Sequence, residues 1–198
     1  MLTAHLTQGV KLIGLYKLIM QPAAAFDGCY RVVNVGTVKA IEFFDSSARA
    51  GATTMQQLRI LPYRTGMINE TAVGGVEVIS GEFTGCVMTL FRRGTTLLAG
   101  HVDTAAGTTQ RGNYDALKTN NGISVVAEYD TTGKLTPEAG CDGSSVILCV
   151  ASSDGTIKSY FVQKSSHQSG KMAAGPGGDS EVKWRQVGET IYTVTREC

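Results

Sequence analysis

Glycine interrupts this sequence so often that long helices are hard to build from it. It accounts for 24 of the 198 residues, about 12% where roughly 7% is usual. Between the glycines stand short runs rich in Val, Thr and Ile, residues that favour strands. The glycines have no period of three, which excludes collagen, and the 42% of hydrophobic residues argues against disorder. The pattern predicts many short strands joined by turns.

The runs predict an α+β fold that is dominated by β-structure, a central mixed β-sandwich flanked by a few helices. No linker divides the chain, so residues 1–198 are expected to form a single catalytic domain. One short helix is expected at 113–119. The predicted strands are 32–44, 58–63, 73–80, 86–91, 96–102, 123–129, 146–151, 157–163, 182–187 and 190–195, and the polar segment 165–179 is expected to be a loop.

The charge balance restricts the kind of partner that the chain binds. The 18 basic and 17 acidic residues leave a net charge of +1, which argues against coating nucleic acid or an anionic membrane. No run of apolar residues is long enough to predict a membrane span. Lys11 and Lys17 interrupt the apolar stretch 10–20, so it is expected to be a first strand or a short helix rather than a cleaved signal peptide.

Five cysteines cannot all pair within one chain, and their density is low for a disulfide scaffold. Reduced thiols buried as small apolar side chains are therefore expected. Cys141, Cys149 and Cys29 have no spacing typical of zinc ligands, so no metal site is predicted. Cys198, at the end of the chain, is expected to be exposed.

The segment 78–104 predicts a hairpin that brings two reactive side chains close together. If the chain turns at Arg93 and Gly94, Cys86 faces His101 on the same side of the sheet. Directly opposite Cβ atoms lie about 4.5–5.5 Å apart. A bulge at the turn would shift the register by one residue and move one side chain to the other face. The register therefore depends on the type of turn.

A thiol beside an imidazole is typical of a nucleophile and its base. The imidazole accepts the thiol proton and later returns a proton to the leaving group. Gly85 lets a substrate carbonyl approach the backbone, where the N–H groups of Gly85 and Cys86 stabilise an oxyanion. A cysteine in a strand is more often an inert core residue, and that interpretation remains open. Ser80, Asp103 or a backbone carbonyl is a candidate for orienting His101.

The same residues resemble the cysteine-dependent glutamine deamidase toxins, a family that includes the catalytic domain of the cytotoxic necrotizing factors and the Burkholderia lethal factor. The resemblance covers residues 76–104. It rests on Thr84-Gly85-Cys86 in place of the family's Ser-Gly-Cys, on the gap of 15 residues to His101, and on the His-x-x-Thr ending. Ser80 stands where the lethal factor and some other members have a threonine as the third member.

The resemblance implies a secreted bacterial toxin or effector that acts in the host-cell cytosol. Cys86 would be the nucleophile, His101 the base and Ser80 the third member. Thr84 and Asp103 would be residues that contact and support these three. The reaction would convert a glutamine of a host protein, such as a Rho-type GTPase or a translation factor, to glutamate. Neither a metal nor an organic cofactor would take part, a monomer would suffice, and an amine in place of water would give transglutamination.

Two other functions remain open from the sequence. A cysteine peptidase or another thiol hydrolase would use the same two residues, although a cysteine on a hairpin differs from the helical cysteine of papain-like folds. A β-rich binding protein with an inert Cys86 would use neither residue.

Overall fold

The computed structural model of the protein describes residues 1–21, 23–35, 38–46, 55–105, 107, 109–120, 122–166 and 190–198. The described residues form twelve strands, two α-helices and two short 3₁₀ turns. The strands are β1 (Lys11–Ile13), β2 (Phe26–Val35), β3 (Val38–Asp45), β4 (Gln56–Ile60), β5 (Ile68–Ala72), β6 (Val78–Phe83), β7 (Val87–Arg93), β8 (Thr96–Val102), β9 (Ser124–Asp130), β10 (Ser145–Ala151), β11 (Ile157–Ser166) and β12 (Thr190–Glu197). The helices are α1 (Leu15–Ile19) and α2 (Gln110–Thr119).

Eight strands close into a barrel in the order β1-β12-β11-β10-β6-β4-β2-β3. Two pairings, β1 with β3 and β4 with β6, are parallel, and the others are antiparallel. Apolar side chains that alternate along the strands fill the interior, among them Ile41, Leu148 and Val162. The barrel is the platform on which the second sheet lies.

The second sheet has the antiparallel order β5-β8-β7-β9. One face packs on the outside of the barrel, where Met88 and Leu90 join Ile147 and Phe161 in one buried cluster. On its other face, a second cluster joins β7 and β8 to Tyr114 of α2. The layer between barrel and sheet is where the candidate site lies.

The prediction of a β-dominated α+β fold with two packed sheets and few helices is confirmed, and one of the two sheets is closed. The predicted helix is present as α2. The stretch 10–20 forms both expected elements, since β1 and α1 follow each other there. The predicted strand 182–187, and the predicted loop from residue 167 onward, lie outside the described residues.

The structure also bears on the expectations about a membrane span and about the cysteines. Among the described residues, no helix is both long and apolar enough to cross a bilayer. All five cysteines are free thiols: Cys29, Cys86 and Cys149 are buried, Cys141 is half-buried, and Cys198 is exposed as expected.

Candidate active site

The hairpin β7–β8 has a register different from the expected one. Arg93 pairs with Thr96, and Met88 rather than Cys86 lies opposite His101. The prediction that Cys86 faces His101 directly was wrong. The two-residue loop is Gly94-Thr95, and Gly94 has a φ of +61°. A turn of type II′ places glycine at the first of its two central positions, which moves the turn by one residue.

The shift preserves the face of each side chain because it moves the pairing by two residues. Cys86 and His101 are therefore diagonal neighbours on the face that packs against the barrel. The backbones of such neighbours lie roughly 7–8 Å apart. Continuing the register by one pair places Cys86 opposite Asp103, and the Cys86 Sγ lies 3.9 Å from the Asp103 Oδ1.

His101 lies between the two layers, with 1% of its surface exposed. The Ser80 Oγ lies 2.9 Å from the His101 Nδ1 and donates its own hydrogen to the Leu61 carbonyl at 2.7 Å. Since that hydroxyl has a single hydrogen, it accepts from the Nδ1–H. This leaves the Nε2 as the unprotonated nitrogen, and the Nε2 has no hydrogen-bond partner among the described residues. Ser80, the residue expected as the third member, is thus in hydrogen-bond contact with the imidazole.

A bulge in β6 directs two side chains at this imidazole. Ser80 pairs with Cys149 but Phe83 pairs with Ile147, so β6 has one residue more than β10 between these pairs. Residues three apart on a regular strand point to opposite faces, but here both point toward His101. The Phe83 ring stacks on the imidazole at 3.9 Å between centroids. Glu82, within the bulge, has a φ of +61° and is the only such non-glycine residue in the described ranges.

Cys86 lies just before β7 and is 6% exposed. It lines a pocket with a volume of about 340 Å³ together with Thr84, Gly85, Asp103 and Thr104. Four further residues complete the lining: Met20, Tyr63, Glu82 and Ala105. The structure therefore brings four of the sequence-predicted residues to one pocket, with His101 and Ser80 buried in the layer next to it.

Asp103 holds one wall of this pocket in place. Its Oδ2 accepts from the Gly66 N–H at 2.6 Å, and its Oδ1 accepts from the Ala105 N–H at 2.9 Å. The Tyr63 hydroxyl donates to the same Oδ1 at 3.4 Å, and the Tyr63 ring lies 5.2 Å from the imidazole. Asp103 also accepts from the Cys86 thiol at 3.9 Å, and its charge acts on the imidazole, where it raises the pKa against the effect of burial.

Three threonine hydroxyls fix the backbone around the thiol. Those of Thr104 and Thr132 both donate to the Gly85 carbonyl, the second at 3.1 Å. The Thr131 hydroxyl donates to the Cys86 carbonyl at 2.7 Å, and its N–H donates there at 3.1 Å. Thr131 and Thr132 follow β9, more than 40 residues away, so no local sequence pattern indicated them.

The expected role of Gly85 fits its surroundings. A Cβ added there would meet only the Thr104 Oγ1, at 3.9 Å, which is an ordinary contact. The folded chain therefore does not itself require glycine at this position, and the space beside this peptide remains open to a substrate.

Burial keeps both candidate catalytic groups uncharged. Burial raises the pKa of the Cys86 thiol, and the Asp103 carboxylate adds to this, while donors from Thr104 oppose it. Burial lowers the pKa of His101 to about 3, against a weaker opposing effect of Asp103. The resting site therefore contains a neutral thiol and a neutral imidazole rather than an ion pair.

In the described ranges, no group of three or more His, Cys, Asp or Glu side chains is arranged to hold a metal ion. We find no protein-family model and no curated protein that matches the chain.

Proposed function

We propose that the protein is a cysteine-dependent protein-glutamine deamidase. The observation that carries this proposal is the buried His101, which Ser80 holds through the Nδ1 so that the Nε2 is left as an unengaged acceptor, next to a pocket lined by the Cys86 thiol. A fixed tautomer with an unprotonated ring nitrogen that has no hydrogen-bond partner is what a general base for a thiol requires.

In the proposed reaction the Cys86 sulfur attacks the carboxamide carbon of a glutamine on the target protein. The thiol proton passes to the His101 Nε2, and the backbone N–H groups of Gly85 and Cys86 stabilise the oxyanion. When the C–N bond breaks, ammonia leaves with the proton from His101. Water then attacks the thioester carbonyl carbon while His101 accepts a proton from it. The C–S bond breaks as His101 returns that proton to the sulfur, which releases the glutamate side chain and regenerates the thiol and the neutral imidazole.

Activation of the thiol is coupled to the arrival of substrate in this proposal. At rest the thiol contacts Asp103, and neither partner of the Cys–His pair is charged. Rotation of the short Cys86 side chain away from Asp103 would turn the sulfur toward the imidazole on the same face of the sheet. Proton transfer would then accompany attack on the carbonyl, as expected for a neutral base.

The proposal extends to a secreted toxin or effector that acts on a regulatory protein in the host cytosol, on the basis of the family resemblance. The rim of the pocket is compatible with a protein substrate. Met20 and Met67 are 39% and 40% exposed, and with Tyr63 and Arg64 they line a shallow depression next to the pocket. Flexible thioether side chains adapt well to a protein surface.

The test is a proteome-wide search for Gln-to-Glu conversion in host-cell lysate. The wild type is compared with Cys86→Ser and with Cys29→Ser, which alters a buried thiol of β2 that does not line the pocket. We expect one or a few sites that convert with the wild type and with Cys29→Ser but not with Cys86→Ser. Cleaved fragments that depend on Cys86 would indicate a peptidase instead. If the proteomes do not differ between the wild type and Cys86→Ser, the proposal is wrong.

A further inference from the structure

Thr104 has two kinds of contact with the nucleophile segment. It follows β8 directly after Asp103, and its hydroxyl donates to the Gly85 carbonyl. Thr104 and Cys86 also line the same pocket, where burial raises the pKa of the Cys86 thiol and hydrogen bonding from the Thr104 N–H and hydroxyl lowers it. Because a hydroxyl has one hydrogen, it cannot donate to the carbonyl and to the sulfur at the same time.

We propose that Thr104 is a positioning residue whose hydroxyl donates to the Gly85 carbonyl while Cys86 is a thiol, and turns to the sulfur when Cys86 becomes a thiolate. The inference rests on the proposed function for its purpose, but the contact itself does not depend on the identity of the substrate. The adjacent residues Asp103 and Thr104 have opposite effects on the Cys86 sulfur. The Asp103 carboxylate disfavours the negative charge of the thiolate, whereas the Thr104 donors favour it.

The second donor to the Gly85 carbonyl makes this movement inexpensive. When the Thr104 hydroxyl turns away, the Thr132 hydroxyl, 3.1 Å from the same oxygen, still satisfies it. A partly buried carbonyl left without any donor would oppose the change. Both threonines therefore donate to the Gly85 carbonyl, and Thr104 also lines the pocket beside Cys86.

The same arrangement orients the proposed oxyanion donor. The Gly85–Cys86 peptide bond is not cis, so the Cys86 N–H points opposite to the Gly85 carbonyl. The two hydroxyls that hold this carbonyl thereby fix the direction of the N–H. Because Thr132 alone suffices for this, loss of the Thr104 hydroxyl is expected to affect the thiolate more than the direction of the peptide.

The test measures the rate at which iodoacetamide alkylates Cys86 as a function of pH, resolved by peptide mass spectrometry on the full chain. Thr104→Val removes only the hydroxyl, Thr104→Ser retains it, and Thr132→Val is the matched control at the same carbonyl. We expect Thr104→Val to raise the apparent pKa of Cys86 and to slow alkylation at neutral pH by roughly three- to tenfold, since a thiolate fraction falls tenfold for each unit of pKa. Thr104→Ser and Thr132→Val should stay within about twofold of the wild type, because neither removes the hydroxyl at position 104.

Equal rates and equal pH profiles for Thr104→Val and the wild type would overturn the proposal, as would an equal slowing by Thr132→Val. If Thr104→Val does not fold, as judged by circular dichroism, Thr104→Ala replaces it with the same expectation. The measurement needs no target protein. If no Gln-to-Glu conversion is found, the deamidase proposal is wrong, but the alkylation rates still test the role of Thr104. If conversion is found but Thr104→Val alkylates like the wild type, only the proposal for Thr104 is wrong.

Discussion

Acidification should destabilise the protein through His101. In the folded chain burial holds the pKa of His101 at about 3, whereas the ordinary value is 6.5. Between these two values the unfolded chain binds a proton on this residue that the folded chain does not. The free energy of unfolding must therefore fall as the pH is lowered from 6.5 toward 3.

The magnitude follows from the two pKa values. From pH 7 to pH 5 the loss attributable to His101 is about 2 kcal/mol, and from pH 7 to pH 4 it is about 3 kcal/mol. Urea unfolding at several pH values measures it. Carboxylates whose pKa is low in the folded state, such as Asp142, add to the loss on acidification, so the quantity to compare is the difference between variants.

His101→Gln removes the titration and retains a polar side chain at the site. We expect its stability to fall less steeply with acidification than that of the wild type, by about 2 kcal/mol between pH 7 and pH 5. His5→Gln is the control, because His5 is only partly buried and its pKa is lowered in the same direction. If the wild type and His101→Gln show the same pH dependence, His101 is not buried in the neutral form and the reasoning fails.

Two substitutions in β6 test its contacts with the imidazole and its packing against the barrel interior. Ser80→Ala leaves the Leu61 carbonyl and the His101 Nδ1–H without their shared partner, so we expect urea unfolding to show a loss of about 2–4 kcal/mol; a loss below about 0.5 kcal/mol would contradict that bridge. Gly81→Ala places a Cβ 2.2 Å from a leucine methyl group of β10, and we expect a loss of about 1–3 kcal/mol. Gly74→Ala, which meets no atom within 4 Å, should leave the unfolding midpoint unchanged, and equal midpoints for both glycine variants would refute the close packing.

The correct position of the β7–β8 turn could have been predicted from the sequence. The prediction placed Gly94 second in the loop, but a glycine followed by another residue is the pattern of a type II′ turn with glycine first. Gly94 takes that first position with its positive φ, and Thr95 follows it. Because the correction moves pairing by two residues, the predicted face of Cys86 and His101 was right although their direct pairing was wrong.

The bulge in β6 could not be predicted in the same way. The residue with a positive φ is Glu82, a type that disfavours this conformation, and not the adjacent Gly81. Its carboxylate is held by the Tyr192 hydroxyl and by Lys164, both distant in sequence. Tertiary contacts therefore determine the local backbone, and with it the position of Phe83 over the imidazole.

The environment of Cys86 also depends on distant residues. Asp103 was identified from its position after His101, but its contact with the thiol follows from the observed register. Thr131, which holds the Cys86 carbonyl, comes from the end of β9. The nucleophile and its base could be proposed from one hairpin, while the groups that set their pKa values and orientation are brought together by the packing of sheet on barrel.

The most direct test of the central claim, that Cys86 and His101 act as a pair, is the rate of Cys86 alkylation in the wild type and in His101→Gln. Peptide-resolved labelling at neutral pH provides Cys29 and Cys149 as buried internal references. We predict that Cys86 is labelled faster than both references in the wild type and that His101→Gln slows Cys86 alone. Labelling of Cys86 that is no faster than that of Cys149, or that is unchanged by His101→Gln, would contradict the account.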